Sequence, residues 1–74
     1  MRYRGRIITT YPLERKDGKG WTCSFTITET VPEAELDTPF QLRGTFHSKE
    51  EAIKAAEISA CRKIDLGFTA RLGK

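Results

Sequence analysis

The sequence predicts an α+β domain in which a three-stranded antiparallel sheet is followed by one C-terminal helix packed on one face, in the order β-β-β-α. Three observations lead to this prediction. Apolar and polar residues alternate with the period of a strand, an Asp-Gly pair marks a hairpin, and the segment FHSKEEAIKAAEISACRKIDLG carries helix signals at both ends. One helix covers one face of such a sheet, so we expect the other face to be open.

The first strand is predicted over residues 2–13, RYRGRIITTYPL, which are rich in β-branched and aromatic side chains. Alternation divides them between two sides, with Tyr3, Ile7, Tyr11 and Leu13 on one and Arg4, Arg6 and Thr10 on the other. Pro12 has no N–H to donate, so we expect it near the strand's end or on an edge of the sheet. Asp17 and Gly18 then reverse the chain, because both residue types tolerate turn conformations.

The second strand, WTCSFTITE, shows the sharpest alternation in the chain. It points Trp21, Cys23, Phe25 and Ile27 toward the helix and Thr22, Ser24, Thr26 and Thr28 away from it. Residues 30–39 hold two prolines and several acidic residues, which predicts a connection. The third strand follows in FQLRGTF, with Phe40, Leu42 and Phe46 inward. Gly44 interrupts this inward side, which indicates a bulge or a close approach of the helix.

The helix is predicted to begin after Ser48, which forms a capping box with Glu51. Its apolar half, which we expect to face the sheet, consists of Ala52, Ile53, Ala56, Ala60, Cys61 and Ile64. Gly67 and Phe68 are typical of a Schellman end. We therefore expect one domain over residues 1–67 and a flexible tail over 68–74.

The uncovered face is predicted to be polar, rich in threonine and basic. We expect it to carry Arg4, Arg6, Ile8, Thr10, Thr22, Ser24, Thr26, Thr28, Gln41, Arg43 and Thr45. Arg2, Arg4, Arg6 and Arg43 would then form a basic stripe along its edge. The stripe, with Thr22 and Thr26, is the predicted contact surface for a partner or for phosphate groups.

Composition excludes several classes of protein. The 74 residues are 38% hydrophobic and 31% charged, with a net charge of +3, which is typical of a small globular domain. We expect no membrane span and no secretory signal, and hence a cytoplasmic protein. Cys23 and Cys61 have no CxxC spacing and are predicted to be reduced and buried. With His47 alone beside them, we expect no catalytic, cofactor-binding or metal site.

The linked pieces DGKGW, FHSKEEAIKAA and RKID resemble a group of short uncharacterised bacterial β-β-β-α proteins. The matching residues are Tyr3, Trp21, Phe46, Glu50, Glu51, Ala52, Ile64 and Asp65, within residues 3–65. The same element order is distantly similar to the partial double-stranded-RNA-binding fold of HicB-type antitoxins. The resemblance implies the fold and carries no activity.

Two functions remain open at this point. A non-enzymatic interaction module would bind an unidentified protein partner through its open sheet face or an edge strand, as a monomer or weak homodimer. The alternative is weak, non-specific nucleic-acid binding through the basic stripe, since phosphate contacts need only positive charge. We favour the protein partner, because we expect no aromatic side chain on the open face for bases to stack on.

Overall fold

The computed structural model describes residues 1–68 and contains one antiparallel sheet and one helix. The strands are β1 (Arg2–Tyr3), β2 (Arg6–Glu14), β3 (Trp21–Val31) and β4 (Ala34–Gln41), and helix α1 spans Lys49–Asp65. Neighbouring strands pair in chain order, β1-β2-β3-β4. The α+β class, the antiparallel sheet and the C-terminal helix are thus confirmed, but the sheet has four strands where we predicted three.

The extra strand arises because a two-residue turn at Arg4 and Gly5 interrupts the predicted first strand. Both residues have positive φ, 50° and 81°, and Tyr3 pairs with Arg6 across the turn. Such turns match the right-handed twist of a hairpin, and their usual sequences are Asn-Gly and Asp-Gly. An arginine in the left-handed region costs roughly 1 kcal/mol, so Arg-Gly is not a sequence that predicts a hairpin.

The chain reverses between β2 and β3 at Asp17 and Gly18, as predicted. Gly18 has a φ of 72°, and its N–H donates to the Arg15 carbonyl at 3.0 Å. The Asp17 carboxylate accepts from the Arg15 guanidinium at 2.9 Å and from the Lys19 N–H at 2.9 Å. These hydrogen bonds hold the pKa of Asp17 below its usual range, and the bond from Arg15 has the largest effect.

The register of this hairpin corrects the predicted orientation of β2. Ile8 lies opposite Ile27 and Thr10 lies opposite Phe25, and residues directly opposite share a face. The even-numbered residues of β2 therefore face the helix, and Ile8 is only 2% exposed. The open-face positions predicted for Arg6, Ile8 and Thr10 were wrong, because β2 carries apolar residues on both sides and alternation alone did not choose between them.

The prediction that residues 30–39 form a connection was also wrong. Val31 pairs with Ala34, so the connection consists of Pro32 and Glu33 alone. Proline fixes φ near −65°, which suits the second position of a common β-turn. Pro32 therefore tightens a hairpin, and the rest of the segment belongs to β3 and β4.

Pro12 and Pro39 each lie where one side of the strand has no neighbouring strand, since β1 pairs with β2 only at Arg6 and Ile7. The Leu42 N–H donates to the Cys23 carbonyl, and donors toward β3 alternate along the strand, so the nitrogen of Pro39 points away from β3. The Ile8 N–H donates away from β3, and the same alternation turns the nitrogen of Pro12 outward. The prediction that Pro12 lies near the strand's end or on an edge is confirmed.

After β4 the chain bulges from the sheet and then returns. The regular ladder ends at Gln41, and Phe46 later forms an isolated bridge with Trp21. Gly44 in this bulge has a φ of 95°, a conformation that favours glycine. Gly20 permits the return, because a Cβ there would lie only 2.9 Å from the Phe46 carbonyl oxygen.

Helix α1 begins and ends as predicted. The Ser48 hydroxyl accepts the Glu51 N–H at 3.1 Å, and the Glu51 carboxylate accepts the N–H of His47, one residue before the N-cap, at 3.1 Å. Gly67 has a φ of 96°. The N–H groups of Gly67 and Phe68 donate back to carbonyls of the last helical turn, both at 3.0 Å, which defines the Schellman end.

The core lies between α1 and the covered face of β2 and β3. Its buried members are Ile8, Cys23, Phe25, Ile27, Ala52, Ala56, Ala60 and Ile64. The alanines let the helix lie close to the sheet. Ile53 and Cys61 belong to the predicted apolar half of the helix but are only partly buried.

An aromatic cluster joins the end of α1 to β4. The Phe40 ring stacks on Phe25 with centroids 5.1 Å apart and meets Phe68 edge-on at 5.4 Å. The Lys63 ammonium lies 4.6 Å from the Phe40 centroid, a cation–π contact. Phe68, the first residue of the predicted flexible tail, is therefore packed, and residues 69–74 of that tail lie outside the described residues.

Candidate functional site

The candidate functional site is the open face of the sheet, on the side opposite α1. Because residues directly opposite share a face, the register assigns its members on three strands. They are Ile7, Thr9, Tyr11 and Leu13 of β2, Thr22, Ser24, Thr26, Thr28 and Thr30 of β3, and Glu35, Asp37, Pro39 and Gln41 of β4. The sequence predicted five of these positions, namely Thr22, Ser24, Thr26, Thr28 and Gln41.

Three apolar side chains of β2 on this face define the β2 patch: Ile7, Tyr11 and Leu13. Leu13 is 68% exposed and Tyr11 is 53% exposed, whereas Ile7 is half-buried. Ser24 stands opposite Tyr11, and Thr22 stands opposite Leu13. The β2 patch therefore combines exposed apolar surface with uncharged neighbours that can donate and accept hydrogen bonds.

Sequence reasoning assigned the β2 patch to the covered side and expected no aromatic residue on the open face. Tyr11 shows that both statements were wrong. The usable signal was the apolar content of β2 on both sides, with Ile7 directly beside Ile8. A helix on one face buries only one of the two sides, so the other side is left exposed.

The four arginines of the predicted basic stripe do not come together. Arg2 stands opposite Ile7 and so lies on the open face, and Arg43 is exposed beyond the end of β4. Arg4 and Arg6 instead bind carboxylates on the helix side of the sheet, so their predicted open-face position was wrong. A role for any of the four in partner or phosphate contact stays a prediction.

Arg4 belongs to a cluster that ties the β1 hairpin to the end of α1. Its Nε lies 2.9 Å from Oδ1 of Asp65, and the Tyr3 hydroxyl donates to the same oxygen at 2.9 Å. The pKa of the Arg4 guanidinium is raised, first by the Tyr3 side chain and then by the charge of Asp65. A carboxylate is unfavourable at a helix C-terminus, and these two donors offset that cost.

Arg6 forms an ion pair with Glu29 on the covered face, with 2.8 Å between Nε and Oε2. The Glu29 side chain is only 8% exposed, and that of Arg6 is 27% exposed. A carboxylate so far from water needs a hydrogen-bonding cation. This need explains why Arg6 lies on the covered face.

Within residues 1–68, no three or more His, Cys, Asp or Glu side chains come together in a way that could hold a metal ion. His47 is exposed at the start of α1, and both cysteines are free thiols. Over the same residues, no helix combines the length and the apolar character needed to cross a membrane.

The two thiols differ in burial, which corrects the prediction that both lie in the core. Cys23 is buried, whereas Cys61 is partly exposed on α1. Burial raises the pKa of Cys23. Burial also raises the pKa of Cys61, and the negative charges of Asp65 and Glu57 raise it further.

We expect a bulky maleimide to label Cys61 in the native protein and Cys23 only after unfolding. Because the thiolate is the nucleophile and the pKa of Cys61 is raised, its labelling rate should keep increasing at pH values where that of a free thiol has levelled off. Mass spectrometry of labelled peptides, with Cys61→Ser as the control, measures each site. Native labelling of Cys23 at the rate of Cys61 would contradict its position in the core.

Comparisons of the chain with protein-family models, with curated proteins and with solved structures find no significant match. The open face and its β2 patch are therefore the features from which a function is inferred.

Proposed function

We propose that this protein is a non-enzymatic interaction module that binds a protein partner through the open face of its sheet. The observation that carries this proposal is the β2 patch. It lies on the more apolar side of β2, and no other element within residues 1–68 packs on it. Tyrosine suits such a surface, because its ring adds apolar contact area and its hydroxyl keeps a hydrogen-bonding group at the rim.

The sheet edges are less suitable than the face as a binding surface. A strand that adds to an edge needs donors and acceptors in regular alternation. Pro12 removes a donor from the free edge of β2, and Pro39 removes one from the free edge of β4, by the alternation described above. Prolines on edge strands deter pairing with other chains, so we assign the partner to the face.

Two observations support a protein partner above nucleic acid. Arg4 and Arg6 already hold carboxylates of their own chain, which leaves Arg2 as the basic residue of β1 on the open face. Asp37 lies on the same face and accepts a hydrogen bond from the Thr28 hydroxyl at 2.7 Å. A carboxylate on this face repels phosphate groups.

The relationship to short bacterial β-β-β-α proteins and a cytoplasmic location remain proposals that accompany this function. The contact of Tyr3 with Asp65 and the bridge of Trp21 with Phe46 support the first, because the residues behind the resemblance meet in pairs. Two free thiols support the second, since cytosolic proteins keep cysteines reduced.

A photo-crosslinking amino acid at position 13 tests the proposed function in cells that naturally express the protein. We expect one discrete protein adduct, because Leu13 is the most exposed member of the β2 patch. The matched control places the same amino acid at Ile58, which is also apolar and exposed, at 56% against 68% for Leu13, but lies on α1. The binding affinity of the identified partner should then fall at least about tenfold with Leu13→Asp.

Three outcomes would contradict the proposal. They are no discrete adduct at position 13, the same adducts from positions 13 and 58, and adducts that a nuclease removes. The last of these would favour the nucleic-acid alternative. Circular dichroism should show that Leu13→Asp remains folded, because the substituted side chain is exposed.

A further inference from the structure

A second apolar surface lies on α1, away from the open face. It is a groove of about 510 Å³ between the outer side of the helix and the N-terminal residue. Met1, Ile58, Cys61 and Leu66 supply its apolar lining, and Met1, Ile58 and Leu66 are exposed. Exposed apolar surface with a charged rim is typical of a contact site.

The charged rim of the groove has a pattern that is complementary to itself. Along the helix the charges run positive, negative, positive, negative, at Lys54, Glu57, Arg62 and Asp65. Within residues 54–65, Lys54 and Asp65 are equally distant from the midpoint of the segment, and so are Glu57 and Arg62. Ile58 and Cys61 are also equally distant from it, and they form its apolar centre.

We infer that this groove pairs with the groove of a second copy of the chain, the two α1 helices lying antiparallel about a two-fold axis. In that arrangement Lys54 of each copy comes level with Asp65 of the other, and Ile58 comes level with Cys61. The positions 54, 58, 61 and 65 have the alternating four- and three-residue spacing of a helix-pairing seam. Glu57 and Arg62 flank the seam and also come level with each other.

The charge pattern selects this arrangement and excludes the parallel one. Parallel helices would set Lys54 against Lys54 and Asp65 against Asp65, and like charges repel. Asp65 is also pre-positioned, because Tyr3 and Arg4 hold its carboxylate while 44% of its side chain stays exposed. A two-fold interface of this kind uses the same patch on both subunits.

One helix pair buries a small area, so the dimer should be weak and reversible. This inference is independent of the proposed function, because it concerns the helix side of the molecule. A dimer formed through α1 leaves both open faces available, and it would present two β2 patches to a partner at once.

Sedimentation velocity from micromolar to millimolar concentration, on the full chain, is the first test. We expect a monomer–dimer equilibrium that weakens with added salt, because Lys54 and Asp65 attract across the interface. Ile58→Asp should raise the dissociation constant at least about tenfold by placing a carboxylate in the apolar seam. Lys54→Glu, at an exposed position, should also weaken the dimer, since it sets a negative charge against Asp65. Leu13→Asp on the open face is the matched control and should leave the equilibrium unchanged.

Cysteine cross-linking supplies the second test. A short bismaleimide should join two chains through Cys61, because this residue lies within the seam. The cross-linked dimer should disappear in Cys61→Ser and decrease strongly in Ile58→Asp. A monomer at every concentration would overturn the inference. A dimer that persists in Ile58→Asp but is lost in Leu13→Asp would also overturn it, because the interface would then lie on the open face.

Discussion

Replacing Phe25 by alanine should lower the free energy of unfolding by about 3–5 kcal/mol. Phe25 is 1% exposed on β3, which has a partner strand on each side, and its ring stacks on Phe40. The substitution removes this contact and leaves a cavity between the sheet and α1. A domain of this size has a total stability on the order of 5 kcal/mol, so the variant should be only marginally stable in water.

Urea denaturation followed by Trp21 fluorescence measures this loss. Tyr11→Ala is the matched control, because it also removes an aromatic ring but from an exposed position, and it should change the stability by less than about 0.5 kcal/mol. Phe25→Leu is a milder variant for the case in which Phe25→Ala does not fold, with an expected loss of about 1 kcal/mol. Equal effects of Phe25→Ala and Tyr11→Ala would contradict the assignment of faces.

The elements predicted best from the sequence are those whose signals are local and unambiguous. β3 has apolar residues on one side only, so alternation assigns both of its faces. Helix α1 is bounded by Ser48 and Gly67, whose side-chain and backbone properties act within a turn or two of their own position. For β3 and α1, interactions between residues close in sequence are sufficient to predict the faces of the strand and the ends of the helix.

The errors occur where tertiary context decides. β2 is apolar on both sides, so the exposure of Tyr11 rather than Ile8 depends on pairing with β3. At the Arg4–Gly5 turn, Arg4 forms an ion pair with Asp65, which is distant in sequence. Pro39 belongs to a strand because that strand lies at the edge of the sheet, and the sequence contains no local sign of strand order.

The candidate site divides in the same way. The threonine half of the open face was predicted, because it belongs to β3. The β2 patch was missed, because it belongs to the strand whose orientation alternation did not determine. The basic stripe was predicted from the spacing of arginines along residues 2–6. A turn interrupts these residues, so Arg2 lies on the open face, whereas Arg4 and Arg6 bind Asp65 and Glu29 on the helix side.

Substitution of Arg6 by methionine should destabilise the protein by about 2–4 kcal/mol. Methionine preserves much of the aliphatic stem but removes the guanidinium that lies 2.8 Å from Glu29. The Glu29 carboxylate would then remain buried without this cation, and removing one member of a buried ion pair costs about 3–5 kcal/mol. Because 27% of the Arg6 side chain is exposed, water screens part of the interaction, which lowers the expected cost.

Two controls separate this buried charge from a general loss of positive charge. Arg2→Met removes an exposed arginine of the same hairpin and should cost less than about 0.5 kcal/mol. The double variant Arg6→Met with Glu29→Leu should recover much of the lost stability, because replacing both members of a buried pair by apolar residues removes the desolvated charge. Equal urea midpoints for Arg6→Met and Arg2→Met would show that Glu29 does not depend on Arg6. A double variant less stable than Arg6→Met would show instead that the Glu29 carboxylate stabilises the covered face through other contacts.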